Sequence, residues 1–359
     1  MQTPPSLPVR PNRGHRRVRL ADIASAVGVG TMTVSRAFNK PDLVSPELRE
    51  RILIAAAQLN YVQNRVASGL ASGGAPVIPV LIPTLHHSVY VPFLDGLCSV
   101  LPPAGFEILL SPTEYLIDRE EELVSALLGW NPKGLILSGT EHSRKTRTLL
   151  KRHGIPVVEV MDLTSDPIDM NVGFSHYQVG REVAEFFAGI GRKRIAYAGT
   201  LTEIDFRSVR RITGFQEVLK DHALPHHLIQ RSNEPSSISL GRALLTELLR
   251  QHPNVDAVFF ANDDLAAGAI FECAKRGIKI PDDIAIAGFN DQEIAAEIQP
   301  SLTSVSTPRL KMGRLTAEKL LRRFRGEYEP SNSEDLGFEL IERESTGGRA
   351  HGVGSPPVA

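Results

Sequence analysis

Apolar positions in residues 20–60 recur with a helical period. In LADIASAVG (20–28), Leu20, Ile23, Ala24 and Val27 share one face, and Gly28 stands where a helix ends. A second pattern, TMTVSRAFN (31–39), follows at once. A third starts at Ser45-Pro46, an N-cap followed by proline at the first helical position. It runs to about Asn60, with Leu48, Ile52, Ala55, Ala56 and Leu59 in helical register. A fourth short segment, NRVASGLAS (64–72), precedes Gly73-Gly74. From Val77 the texture changes. VIPVLIP (77–83), FEILL (106–110), GLILS (134–138), PVVEV (156–160), RIAYAG (194–199), DAVFFA (256–261) and DIAIAG (283–288) read as strands. Helical stretches such as 93–100 and 118–129 alternate with them, which predicts βαβ units and parallel sheets with covered faces. Residues 77–345 are long for one such sheet, so two lobes enclosing a cleft are expected.

The expected organisation is therefore an all-α helix-turn-helix headpiece followed by a two-lobed α/β body with parallel sheets. Residues 1–17, rich in Pro and Arg and without periodicity, read as a disordered basic tail. The headpiece spans 18–62, a short helix and linker 63–75, the body 76–345, and a Gly/Pro-rich flexible tail 346–359.

Charge sharpens the division. Residues 1–75 carry ten Arg or Lys and four Asp or Glu, on a 359-residue chain whose net charge is −1. A basic head on an acidic body indicates that the head alone meets a polyanion; the alternative is a solvated basic tail. Two helices joined by a tight glycine turn form a DNA-docking geometry, the second entering the major groove with its N-terminal side chains at base edges. Thr31 and Met32 occupy those first positions, and Thr33, Ser35 and Arg36 can bond phosphates or bases. Arg36 is the leading base reader, because bidentate Arg–guanine pairing is the commonest specific contact. The alternative is a small helical bundle that touches only protein.

Other chemistry is excluded or unsupported. The two cysteines, Cys98 and Cys273, are far apart, which fits a reducing cytoplasm rather than a disulfide framework or a zinc knuckle. No apolar run reaches the roughly 18 residues that a membrane helix needs, and no apolar stretch follows the N-terminal arginines as in a secretory signal. No phosphate-loop, dinucleotide, zinc-protease or nucleophile-elbow motif occurs, so no catalytic residue, metal or cofactor is expected. His86-His87 and His226-His227 are adjacent pairs, unsuited to a shared metal on one helix face. In open α/β sheets ligands bind beyond the C-terminal strand ends. Asp162, Asn262, Asp263, Asn290 and Asp291 stand just after predicted strands. Asp263 reads first as a cap of the helix that follows.

LADIASAVGVGTMTVSRAFN, VSPELRERILIAAAQLNY and QNRVASGLAS resemble the headpiece of the LacI/GalR family of bacterial repressors, and the sugar-binding-like body continues the resemblance over nearly all of 18–345. The resemblance implies a periplasmic-binding-protein-like body, a homodimer or higher oligomer, operator DNA as partner, and a small effector between the lobes. It places Thr31, Met32 and Arg36 on the base-reading helix. It places Asn64, Arg65, Ala67 and Leu70 on a hinge helix, where Leu70 would wedge apart a minor-groove base step. Gly30 and Gln63 depart from the family's usual N-cap and hinge proline, and Gly69 lowers hinge helicity.

For the effector, the resemblance implies Asp162, Arg211, Asn262, Asn290 and Arg309 at strand ends, with Tyr90 on the wall of the first lobe. Arg211 has an alternative as the partner of a nearby acid, and Tyr90 as core. Asn offers paired donors and acceptors to hydroxyls, and Arg a fork for a carboxylate. Asn290 stands where the family usually carries Asp, which removes a charge that would repel an anion. WNPKGLIL, GIPVVEVMD, NVGF, FFANDDLAAGAIFE and TPRLKMG look most like the family's gluconate-utilisation branch. That implies a sugar acid, gluconate or a related aldonate or ketoaldonate. A neutral sugar or purine, a co-repressor role, a sugar-binding protein without a regulatory role and an α/β enzyme remain the rival readings.

Overall fold

The computed structural model describes residues 18–62, 74–85, 88–200, 205–328 and 331–348. The chain divides into two compact units, the first ending at Ala75 and the second beginning at Pro76.

The first unit holds α1 (Leu20–Val27), α2 (Thr31–Asn39) and α3 (Pro46–Gln58). Ile23, Ala24, Val34, Ala37, Ile52 and Ala56 form its buried centre, drawn from all three helices as the 3.6-residue pattern requires. Gly28 ends α1 at φ 78°, a left-handed conformation that costs glycine little. Ser45 caps α3, its Oγ accepting the Leu48 N–H at 3.4 Å. Two basic side chains serve the fold itself. Arg51 donates to the Val27 carbonyl (3.2 Å) and Arg49 to that of Ala37 (3.4 Å), satisfying acceptors that the ends of α1 and α2 leave open.

The second unit is built on two sheets. The first contains β1 (Val77–Ile82), β2 (Glu107–Pro112), β3 (Leu135–Ser138), β4 (Val157–Val160), β5 (Met170–Gly173) and β11 (Ser333–Asp335), in the order β2-β1-β3-β4-β5-β11, all parallel. The second contains β6 (Ile195–Thr200), β7 (Ile229–Ser232), β8 (Ala257–Phe260), β9 (Ala285–Asn290), β10 (Thr303–Ser306) and β12 (Glu339–Ile341). Its order is β7-β6-β8-β9-β10-β12, parallel except for β12 against β10. The chain therefore passes between lobes three times: after β5, after β10, and between β11 and β12. Central strands such as β4, β8 and β9 are buried along their whole length, whereas the edge strand β7 is only half-buried.

Several boundaries move from their expected places. The helix expected at 93–100 is α4 (Val91–Cys98), that expected at 118–129 is α5 (Ile117–Leu128), with α6 (Arg144–His153) after it, α3 stops at Gln58, and the strand expected at 283–288 begins at Ala285 and ends at Asn290. β5, β7, β10, β11 and β12 do not stand out in the hydrophobic pattern. β7 reads IQRS because it is an edge, and β10 reads TSVS because its buried hydroxyls are satisfied, that of Thr303 by Thr346 Oγ1 and the Arg343 carbonyl and that of Ser304 by donating to Asp263. The expected basic tail 1–17, the hinge residues Asn64, Arg65, Ala67 and Leu70, and 349–359 lie outside the described residues.

Candidate functional site

On α2 the side chains of Thr31, Met32 and Arg36 are exposed, while Val34 and Ala37 turn into the core. Met32 and Arg36 are four apart and share a helix face. Met32 is 66% exposed, a large apolar side chain left on the surface of a small domain. Thr33 and Ser35 are half-buried at the flanks, and Ser35 Oγ accepts from Asn39 Nδ2 at 3.3 Å. Arg36 has no hydrogen-bond or ion-pair partner among the described residues, unlike Arg49 and Arg51. Its guanidinium keeps its full donor capacity for a groove.

In the second unit the strand ends of both sheets converge on a cleft of about 800 Å³, counting its open mouth. Met161, Phe174, Thr200, Asn262, Asn290 and Thr307 line it, each at or just past the end of a strand. Helix α8 (Phe206–Asp221) adds Arg207, Ser208 and Arg211, three residues facing one side through their i, i+1 and i+4 spacing. This helix packs backbone to backbone on α7 (His176–Gly189). A Cβ at Gly180 would lie 1.9 Å from the Arg211 carbonyl oxygen, and one at Gly214 2.1 Å from that of Tyr177. Only glycine allows that approach, and it brings Arg211 to His176.

Arg211 is buried. Its Nη1 donates to His176 Nδ1 at 2.7 Å and its Nη2 to Ser208 Oγ at 2.9 Å, with the guanidinium 4.4 Å over the Phe289 ring. The other nitrogen of His176, Nε2, donates to the Met161 carbonyl at 2.8 Å. That pairing defines a neutral imidazole: burial first, then Arg211 and Arg207, hold its pKa well below the usual histidine value. Arg207 donates from Nε to Asp205 (3.2 Å) and from Nη1 to Tyr90 OH (3.2 Å) and Ser138 Oγ (3.5 Å). Burial pushes the Asp205 carboxyl up, but Arg207, Arg211 and the Ser208 hydroxyl outweigh it and hold it at about 2. Arg309, on the connection between the lobes, donates to the backbone carbonyls of Asn290 and Val89. Asn290 itself sits at φ 105°, a strained conformation for a residue other than glycine, and its carbonyl accepts from that arginine. Among the described residues the lining thus holds three guanidiniums (Arg207, Arg211, Arg309), two carboxylates (Asp205, Asp264) and a neutral His176, one positive charge in excess.

Tyr90, Arg211, Asn262, Asn290 and Arg309 all line this one cleft. Asp162 does not. It is buried beside a neighbouring cavity, where its carboxylate accepts from Arg210, which also binds Glu141 and, at 3.2 Å, Thr140. The cap expected of Asp263 belongs to Asn262, whose Oδ1 accepts the Leu265 N–H at 3.1 Å while its Nδ2 donates to Ser236 Oγ at 2.8 Å. Asp263 is instead wholly buried, accepting from Ser304 Oγ (2.5 Å) and the Gln292 N–H (2.7 Å), and burial raises its carboxyl to about 7. Among the described residues Arg211 makes no ion pair, and it acts on Asp205 through charge alone. Sequence reasoning missed Arg207, Asp205 and His176. The Arg207/Arg211 spacing at the head of a helix just after the RIAYAG strand was the available signal.

A helix-turn-helix unit ahead of two such lobes defines a class. Residues 19–64 match the family model for bacterial regulatory proteins of the lacI family, and residues 184–346 match a periplasmic binding protein-like domain. The chain belongs to the LacI family and is a DNA-binding transcriptional repressor, not an enzyme. Among individual relatives it is similar to the HTH-type transcriptional regulator GntR of Escherichia coli strain K12, 38% identical over 90% of this chain and 97% of that one. It is also similar to the regulator of the same name from Pseudomonas aeruginosa, 39% identical over 92% and 96%. A LacI-family transcriptional regulator from Silicibacter pomeroyi superposes with a TM-score of 0.87 at 35% identity, covering 92% of this chain and 99% of that chain.

Proposed function

We propose that the cleft binds a sugar acid, gluconate or a related aldonate or ketoaldonate, and that its occupancy controls how tightly the headpiece holds operator DNA. The arginine-rich lining carries this reading: among the described residues its guanidiniums outnumber its carboxylates by one, which suits an anionic ligand better than a neutral sugar. Asn262, Ser236 and Asn290 supply the amide and hydroxyl groups that suit a polyol chain. Asn290 adds no negative charge where an acid would repel the ligand. The resemblance to the gluconate-utilisation branch supports the same ligand class.

Two protomers would present two copies of α2, spanning 31–39, to half-sites of a pseudo-palindromic operator, with Thr31, Met32 and Arg36 at base edges and Thr33 and Ser35 at the flanks. The hinge residues Asn64, Arg65, Ala67 and Leu70 would complete the grip in the minor groove. Lobe closure on the effector moves the hinges apart, a two-state coupling in which operator and effector weaken each other by the same factor. Bacterial DNA as the target puts the protein in the cytoplasm. A thermal-shift panel of sugar acids, neutral sugars and purines tests the ligand class. A ligand at about 100 times its Kd stabilises by about 2.7 kcal/mol, and aldonates are expected to give that shift. A shift with neutral sugars or purines and none with aldonates would discard the sugar-acid reading.

A further inference from the structure

Three guanidiniums share the cleft, and their hydrogen bonds set them apart. Arg211 spends both terminal nitrogens on His176 and Ser208 and lays one face on Phe289. Arg309 spends its terminal nitrogens on two backbone carbonyls, one from each lobe. Both are held by the protein through their terminal nitrogens and are over nine-tenths buried, with their Nε atoms unpartnered among the described residues. Arg207 differs. Asp205 holds its Nε, and its Nη1 rests on two hydroxyl oxygens, Tyr90 OH and Ser138 Oγ. Those hydroxyls accept from Arg207 and lie 3.3 Å apart, so at most one of their two protons is used between them. A guanidinium and a spare hydroxyl donor therefore meet at one point.

That point is a waist. Arg207, Tyr115 and Asp205 line both the main cleft and a second cavity of about 480 Å³, which also holds the carboxylates of Glu120, Glu141 and Asp162. The carboxylates of the second cavity are already held, Asp162 and Glu141 by Arg210 and Glu120 by His142, and the amides and hydroxyls that suit a polyol lie in the main cleft, so a carboxylate meets Arg207 from that side.

We infer that Arg207 and Tyr90 take the effector's carboxylate, with Ser138, which lines only the second cavity, holding both in place, while the hydroxylated chain runs toward Asn262, Ser236 and Asn290. The inference rests on the sugar-acid reading and gives it a selectivity. The site distinguishes an aldonate from the alditol that carries the same hydroxyls but no charge. Asp205 positions Arg207, and the one positive charge in excess among the described lining residues matches one carboxylate, so a dicarboxylate sugar acid binds more weakly than gluconate.

Calorimetric titration of the full-length protein with gluconate and with glucitol tests this in the wild type, Arg207→Gln, Arg207→Lys and the paired variant Tyr90→Phe, Ser138→Ala. Arg207→Gln is expected to weaken gluconate by about 10- to 100-fold, the loss of charge-assisted hydrogen bonds, without weakening glucitol. Arg207→Lys should recover part of the loss. The paired variant leaves the arginine untouched and should weaken gluconate selectively, which keeps the test decisive if Arg207→Gln fails to fold. Gluconate binding by Arg207→Gln at wild-type strength, or by the paired variant if the first does not fold, overturns the carboxylate subsite alone. A wild type that binds gluconate no better than glucitol overturns the sugar-acid reading and this inference with it.

Discussion

His142 shows how a single buried residue ties stability to pH. It lies in the first lobe with its side chain almost fully covered, 2.8 Å from Glu120 through Nδ1 and 3.3 Å from Glu159 through Nε2. The second contact is poorly aligned for a hydrogen bond and acts through charge. Burial alone would lower its pKa, but the two carboxylates overcome that and raise it to about 9. Folding therefore binds a proton. The contribution is fully present below the unfolded value of 6.5 and is lost as pH rises through 9. Asp263 adds the same sign at lower pH: stability falls between the ordinary carboxyl range and about 7. His142→Gln is expected to destabilise the second unit at pH 6 and to remove the decline between pH 6.5 and 9. Urea unfolding at a series of pH values reads this directly, and an unchanged slope in the variant would contradict the His142 assignment.

At the scale of elements, the pairing of α7 with α8 places the cleft's arginines. Gly180 and Gly214 let the two helices touch through their backbones, so a side chain at either position moves α8 and everything it carries. Gly180→Val is expected to weaken effector binding strongly and to cost about 1–3 kcal/mol of stability, the range for overpacking a close contact. Wild-type affinity in a folded Gly180→Val protein would show that α8 does not set the site. Much at this scale was legible in the chain. The three headpiece helices announced themselves by Ile23, Val34 and Ile52, because a small bundle has one core and each apolar residue must face it. The β8 and β9 strands read plainly because both their faces are covered. β7 and β10 did not: one is a polar edge, and the other buries serine and threonine against a neighbour that sequence cannot display. The same limit hid Arg207 and misplaced Asp162. Both sit near strand ends, but only the fold shows that Asp162 is occupied by Arg210 and that Arg207 faces the cleft.

The whole molecule separates two tasks between two units, and each should fail alone. The Arg36 side chain is exposed and has no hydrogen-bond or ion-pair partner among the described residues, so Arg36→Ala should leave folding and effector affinity unchanged. Loss of one bidentate base contact in each of two half-sites is expected to weaken operator binding by about 2–6 kcal/mol and to relax sequence preference at that position. A gel-shift titration beside a calorimetric one measures both. Operator affinity within a few-fold of wild type would reject α2 as the reading helix in this register.

The central claim joins the two units: a sugar acid in the cleft decides whether the headpiece keeps its DNA. Fluorescence anisotropy of a labelled operator, with the protein bound and gluconate added stepwise, measures that coupling in one cuvette. A fall in anisotropy to the free-DNA value, with no fall on adding glucitol, is the predicted result. Anisotropy that holds through saturating aldonate, while another compound class releases the operator, would contradict it.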